Sequence, residues 1–236
     1  MFNFFKDKNE LELYNLCNSE YNSDDKLKII REYVKKNSYG FVDDAHYVMW
    51  RELVKEMPST FTFLEIGVFK GQILNLITYL SKRYNKNGLI YGVSPLSDAG
   101  DKYSTYDKVD YPELVTNLFR KFSLPFDLNK QIIRGFSTDD KIKDEIRKLG
   151  PIDLIYVDGG HDYNTVVSDI SLAKEITRNK GIIVFDDASC YKDLGGLPIF
   201  RGHKEVCDAV KDYMESDNNY EELSCVGHNR IFIKNI

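Results

Sequence analysis

Ile152-Asp153-Leu154-Ile155-Tyr156-Val157-Asp158 and Gly181-Ile182-Ile183-Val184-Phe185-Asp186-Asp187 are two apolar runs that each end in carboxylates. Between them, Val166, Ile170, Ala173 and Ile176 recur at helical spacing. Strand, helix, strand with a crossover of this length predicts a parallel pair, whose strands end on one edge of the sheet. Asp158, Asp186 and Asp187 are therefore expected to converge at the carboxyl edge, where open α/β sheets bind ligands. A single Asp at a strand end is ordinarily a turn former or a helix cap. Three at matched ends repel one another unless protonated or neutralised by a cation. All-oxygen ligation favours a hard ion, Mg²⁺ or Mn²⁺.

Upstream, Phe61-Thr62-Phe63-Leu64-Glu65-Ile66-Gly67-Val68-Phe69-Lys70-Gly71 reads as a strand running into a glycine turn. Ile73, Leu76, Ile77 and Leu80 then give a helix one apolar face. Gly67 permits a tight turn with close backbone approach, and Gly71 lets the helix start near the strand. This is a cofactor loop at a helix N-terminus, but not the GxGxxG dinucleotide fingerprint, so a nicotinamide cofactor is disfavoured. A second strand, Leu89 to Ser94, ends in Ser94-Pro95 where an acid often contacts ribose; Asp98 is the next carboxylate. Gln131 to Gly135 reads as a third strand followed by Phe136-Ser137, and residues 138–149 as a helix. Residues 97–111 read as a long polar loop, and 112–123 as a helix with Pro112 in its first turn. A helix is expected near 204–216, then two strands, Glu221–Val226 and Arg230–Ile236, around the turn Gly227-His228-Asn229.

Residues 1–60 read as an accessory helical segment, with Leu27, Ile30 and Val34 on one face, and Ala45, Met49, Leu53 and Met57 on another. Asp43 or Asp44 caps the second of these helices and Pro58 ends it. The remainder, 61–236, forms the second part of what reads as one structural domain. A chain of 236 residues has room for a sizeable core, and 42% hydrophobic with 29% charged residues is ordinary for a globular protein. The net charge of −5 gives no support for a nucleic-acid partner. No apolar run reaches membrane-spanning length. Cys17, Cys190, Cys207 and Cys225 form no CxxC pair, and four scattered cysteines read as reduced thiols in a cytoplasmic protein.

Together these features resemble a class I S-adenosylmethionine-dependent methyltransferase: ExGxxxG at Glu65–Gly71, Gly-Phe-Ser at 135–137, a fourth strand ending in Asp158, and a final hairpin. The resemblance covers about residues 45–236. It implies a Rossmann-like α/β fold with a seven-stranded sheet, order 3-2-1-4-5-7-6, strand seven antiparallel and helices on both faces. It also implies that Glu65, Gly67 and Gly71 hold the methionine part of the cofactor, Ser94 or Asp98 the ribose, and Phe136 and Ser137 the adenine side, with Asp158 bordering cofactor and metal alike. More narrowly, Asp158-x-x-His161 followed by Asp186-Asp187 is similar to the metal-dependent sugar O-methyltransferases of macrolide tailoring. There the three aspartates hold Mg²⁺ and the histidine serves as base, which casts His161 and Asp158 as catalytic. Arg201 and His203 are expected to face a sugar or phosphate. The implied acceptor is a small hydroxylated molecule, a sugar or nucleotide sugar first. A catechol or another small hydroxyl compound is the alternative, and a non-catalytic cofactor-binding protein the third reading. A homo-oligomer is compatible with all of these.

Overall fold

The computed structural model describes residues 2–41, 43–104 and 106–235. Three helices lead: α1 (Glu10–Asn22), α2 (Asp25–Lys36) and α3 (Asp44–Glu56). Local chemistry starts each of them: Asn9 and Glu12 form a reciprocal capping box, Asp24 accepts from Leu27 N–H, and Asp43 accepts from Ala45 N–H. Then follow β1 (Thr60–Ile66), α4 (Gln72–Arg83), β2 (Asn87–Val93), α5 (Tyr111–Lys121), α6 (Leu128–Gln131), β3 (Ile132–Ile133), α7 (Asp140–Arg147), β4 (Ile152–Val157), α8 (Tyr163–Ile176), β5 (Thr177–Phe185), α9 (Lys204–Val210), a π-helical turn (Lys211–Glu215), β6 (Tyr220–Val226) and β7 (Asn229–Lys234).

The strands form one sheet in the order β3-β2-β1-β4-β5-β7-β6, parallel except for β7. This is the expected order. In β1 and β4 nearly every side chain is buried, because helices cover both faces of the sheet. On one face Trp50 of α3 meets Phe63 and Tyr156 edge-on, so the leading helices share the main core. On the other, Ile170, Ala173 and Val210 pack on Ile155 and Ile183.

Three boundaries differ most from the sequence reading. The third strand is only Ile132–Ile133, because Asp127 caps α6 and Gln131 donates its N–H to the Asp127 carbonyl. The strand before Asp186 starts earlier, at Thr177, with a register shift against β4 ahead of Leu154. The helix near 204–216 changes to a π turn after Val210. The cysteines are also not all reduced: Cys190 and Cys207 form a disulfide, while Cys17 and Cys225 are free and buried. Seventeen positions separate the bonded pair. They meet because the loop after β5 folds back on itself through a bridge between Ala188 and Gly202.

Candidate active site

Two glycines set the geometry at the carboxyl edge. Gly67 follows β1 with φ of +102°, and a Cβ there would sit 1.8 Å from the Asp158 carbonyl oxygen. Its N–H donates to the Val93 carbonyl (2.9 Å), while Asp158 N–H donates to the Ile66 carbonyl (2.8 Å). The ends of β1, β2 and β4 thus close on a point where a side chain would not fit. Gly202 does the same for Asp187: its φ is +105°, and a Cβ would lie 1.9 Å from the Asp187 carbonyl. That carbonyl accepts from His203 N–H (3.1 Å), and Asp187 itself takes a left-handed φ of 52°. Gly71, also left-handed, begins α4 against Val115.

Two cavities meet here. The first, about 240 Å³, lies over the glycine turn and is lined by Gly67, Ser94, Phe136, Ser137 and Asp158. The second, about 250 Å³, is lined by Glu65, Asp158, Asp186, Asp187 and three histidines, with Tyr39, Phe41, Phe69, Tyr106 and Phe200 as its aromatic wall. Gly67, Phe69, Tyr106 and Asp158 border both. Of the residues expected at the cofactor, Ser94, Phe136 and Ser137 line the first cavity; Ser94 Oγ already accepts from Leu96 N–H (3.0 Å). Glu65 lies buried on the floor of the second, its carboxyl pushed up to about 8 by burial. Gly71, expected to hold the methionine part of the cofactor, borders neither cavity and stands at the start of α4. Asp98 lines neither cavity, whereas Asp101 lines the first.

Asp158, Asp186 and Asp187 do gather. Burial raises the Asp158 carboxyl far above the usual range, reinforced by Asp186 and Asp187. Asp186 is held low despite burial, by His228, His46 and its contact with Asp158. Opposite shifts on neighbouring acids are what crowded carboxylates show without a cation, and carboxylate oxygens are donors of the kind a divalent ion takes. The ligand atoms that lie mutually within 4.8 Å form two other sets, though: His161, Asp187 and His203, and Asp186, Asp187 and His228.

All four histidines of the chain collect at this edge. His161 Nε2 is 3.3 Å from Asp187 Oδ2, and its Nδ1 is 2.7 Å from Asp101 Oδ2, which also accepts the His161 backbone N–H (2.8 Å). Burial lowers His161, but these two carboxylates outweigh it and lift the ring to about 9. Both ring nitrogens face acids, which without a cation favours the charged ring over the neutral imidazole of the sequence reading. His203 stacks on Tyr103, with centroids 4.4 Å apart. Arg201 turns away and donates to the Lys192 carbonyl (3.1 Å). Asp101 and His228 were not singled out from sequence. Asp101 sits in an aperiodic loop. His228 carried a usable signal, because a β7 antiparallel to β5 must place its leading turn at the β5 carboxyl end.

Residues 64–188, more than half of the chain, match the Methyltransf_24 methyltransferase-domain family. The chain belongs to this family and is a class I S-adenosylmethionine-dependent methyltransferase. It is 27% identical over 208 residues to an uncharacterized protein, R132, of Acanthamoeba polyphaga mimivirus, covering 84% of this chain and 83% of that one. Among solved structures it is similar to a Bacillus cereus O-methyltransferase in complex with SAH (TM-score 0.57, 13% identity, 89% and 91% coverage of the two chains). It is also similar to the SAH-bound methyltransferase PaMTH1 of Podospora anserina (0.59, 14%, 90% and 88%) and to CalS11, a TDP-rhamnose 3'-O-methyltransferase of calicheamicin biosynthesis (0.53, 14%, 80% and 77%). At these identities the structures share the fold. Among the described residues no helix is long and apolar enough to cross a membrane.

Proposed function

We propose that the enzyme transfers the methyl group of S-adenosylmethionine to a hydroxyl oxygen of a small acceptor, a sugar or nucleotide sugar first, beside a divalent metal held by Asp158, Asp186 and Asp187. The observation that carries this reading is the junction of the two cavities at Gly67, Phe69, Tyr106 and Asp158. A cofactor over the glycine turn and an acceptor against the acidic edge would meet there and nowhere else among the described cavities. Phe136, Ser137 and Ser94 would hold the nucleoside side and the Gly67 turn the methionine side, with Gly71 setting the start of α4 and Glu65 on the floor of the adjoining cavity.

The acceptor oxygen must lie behind the methyl carbon in line with the C–S bond. As the new C–O bond forms, the C–S bond breaks and its electron pair stays on sulfur. Such alignment supplies roughly 7–11 kcal/mol of barrier lowering. A divalent cation at the three aspartates would stabilise the alkoxide form of a hydroxyl and fix its place. With a cation on Asp187, His161 would first release its Nε2 proton to solvent and then, as the neutral ring with Nδ1–H held by Asp101, take the hydroxyl proton on Nε2. This requires Nε2 to give up its contact with Asp187, which a cation on that carboxylate favours. General-base catalysis of this kind is worth about 10²–10⁴-fold.

The catechol-type reading has one specific support, the aromatic wall in which Phe41 stacks on Phe69 (5.9 Å between centroids) and Phe69 leans on Tyr106 (4.9 Å). Mass detection of methylated product from a panel of sugars, nucleotide sugars and catechols, with and without Mg²⁺ or Mn²⁺, decides between them. Turnover only on catechols sinks the sugar preference, and full turnover in rigorously metal-free protein removes the metal. His161→Ala should keep cofactor and metal binding and lose about 10²-fold or more in rate. An unchanged rate transfers the base role to Asp158.

A further inference from the structure

The divalent-metal reading rests on three oxygen donors, and the hairpin between β6 and β7 brings a nitrogen to them. His228 Nε2 stands 3.2 Å from Asp186 Oδ1 and 3.9 Å from Asp187 Oδ1, between the carboxylates of two consecutive residues just past the end of β5. Two donors bound to one ion at about 2.1 Å lie roughly 3.0–3.4 Å apart for octahedral to tetrahedral angles. The His228–Asp186 spacing falls in that interval, and the Asp187 oxygen needs to close by only about half an ångström to join it.

The surroundings hold these groups in place. The Ala188 N–H donates to the His228 carbonyl (2.8 Å), tying the hairpin turn to the residue after Asp187. Asn229 Nδ2 donates to Asp186 Oδ1 (2.6 Å), orienting that carboxylate. The His228 ring is buried and walled edge-on by His46 (4.4 Å) and Phe200 (5.5 Å). Gly227, with φ of +60°, makes the turn tight enough to pass His46, where a Cβ would come within 2.8 Å of its ring nitrogen. A fixed imidazole backed by oriented carboxylates is how proteins build a metal ligand.

We infer that His228 is a nitrogen ligand of the metal at Asp186 and Asp187, which makes the site selective for a first-row transition ion, Mn²⁺, Fe²⁺, Co²⁺ or Zn²⁺, over Mg²⁺. Mg²⁺ takes oxygen ligands and water, whereas imidazole suits the later ions. His161 and His203 face the other Asp187 oxygen, Oδ2, so the base role is untouched. The inference rests on the divalent-metal reading above and adds one ligand and a selectivity to it.

The test uses the full-length protein loaded with one equivalent of Mn²⁺. Pulsed electron paramagnetic resonance reads ¹⁴N coupling from a directly bound imidazole. The wild type should show it; His228→Gln and His228→Asn should lose it, and His203→Gln should keep it. Calorimetry should show a loss of at least about tenfold in Mn²⁺ and Co²⁺ affinity in the His228 variants and a smaller change for Mg²⁺. Bound Mn²⁺ without ¹⁴N coupling in the wild type overturns the inference and leaves the metal reading standing. Coupling that survives in a folded His228 variant also overturns it, because another imidazole then supplies the nitrogen. No stoichiometric Mn²⁺ binding by the wild type overturns the inference and the metal reading together.

Discussion

Asp169 offers a sharp test of the electrostatics beneath the cofactor cavity. It lies on α8, 1% exposed, with neither carboxyl oxygen engaged by an N–H donor, and a Cβ on Gly159 would meet its Oδ2 at 3.0 Å. Burial pushes its carboxyl up to about 7, against smaller lowering contributions from Ser137 and Lys143. Between the ordinary value of 3.8 and about 7, the folded protein therefore binds more protons than the unfolded chain. Stability contributed by neutral Asp169 is full below the unfolded value and declines as pH rises, levelling off above the folded one. At about 1.4 kcal/mol for each tenfold change, the penalty relative to a permanently neutral side chain is roughly 1.7 kcal/mol at pH 5 and roughly 4 at pH 7. Asp169→Asn keeps the shape and removes the charge. It should be more stable than the wild type by an amount that grows by about 2 kcal/mol from pH 5 to pH 7. In a chain of this size that corresponds to roughly 4–9 °C in melting temperature. Urea denaturation of both proteins at several pH values reads the growth directly, because titrations shared by the two cancel in the difference. A gap that stays constant from pH 5 to pH 7 refutes the reasoning, since Asp169 would then not change protonation on folding in that interval.

Two further perturbations address the loops. Asp101→Asn removes the charge from the two hydrogen bonds that orient His161, bonds to an ionised group being worth about 1.5–3 kcal/mol each. It should lower kcat by about 10–100-fold and change the tautomer pattern of the His161 ring in ¹⁵N spectra; wild-type kcat with an unchanged ring pattern would remove Asp101 from its positioning role. Replacing both Cys190 and Cys207 with alanine opens a loop closed across 17 positions, a loss of about 3 kcal/mol or roughly 6–12 °C. Because that loop carries Phe200 and His203, the acceptor KM should rise while calorimetric cofactor affinity holds; an equal loss in both would place the damage in the whole fold.

The framework was legible in sequence because periodicity reports burial. Ile152–Val157 and Gly181–Phe185 are continuous apolar runs since both faces of the parallel sheet are covered, and the helix between them shows its spacing through Val166, Ile170 and Ala173. From the parallel pairing alone, Asp158 and Asp186 must share an edge. What escaped the reading was carried by segments with no period. Asp101 and the Cys190–Cys207 bond depend on how residues 97–111 and 188–203 fold back, and no local pattern encodes that. Asp98 was the nearer acid to Ser94, but the backbone delivers Asp101 to the cavity.

His228 falls between these cases and shows where reasoning from topology can go further. Once strand seven is placed antiparallel beside strand five, the pairing of Phe185 with Arg230 sets Asn229 and His228 opposite Asp186 and Asp187. No propensity at His228 says this; the strand order does. The same reasoning divides the labour of the site. The sheet edge supplies the negative charge, because strand ends are the one place where residues far apart in sequence are brought together by a repeating geometry. The loops and the hairpin supply nitrogens and aromatic rings around that charge: Tyr103 from one loop, Phe200 and His203 from another, His228 from the turn. Loops change more readily than a buried sheet. Acceptor choice and metal preference should therefore reside in these segments, and exchanging residues 188–203 between family members should alter the acceptor while leaving cofactor affinity in place.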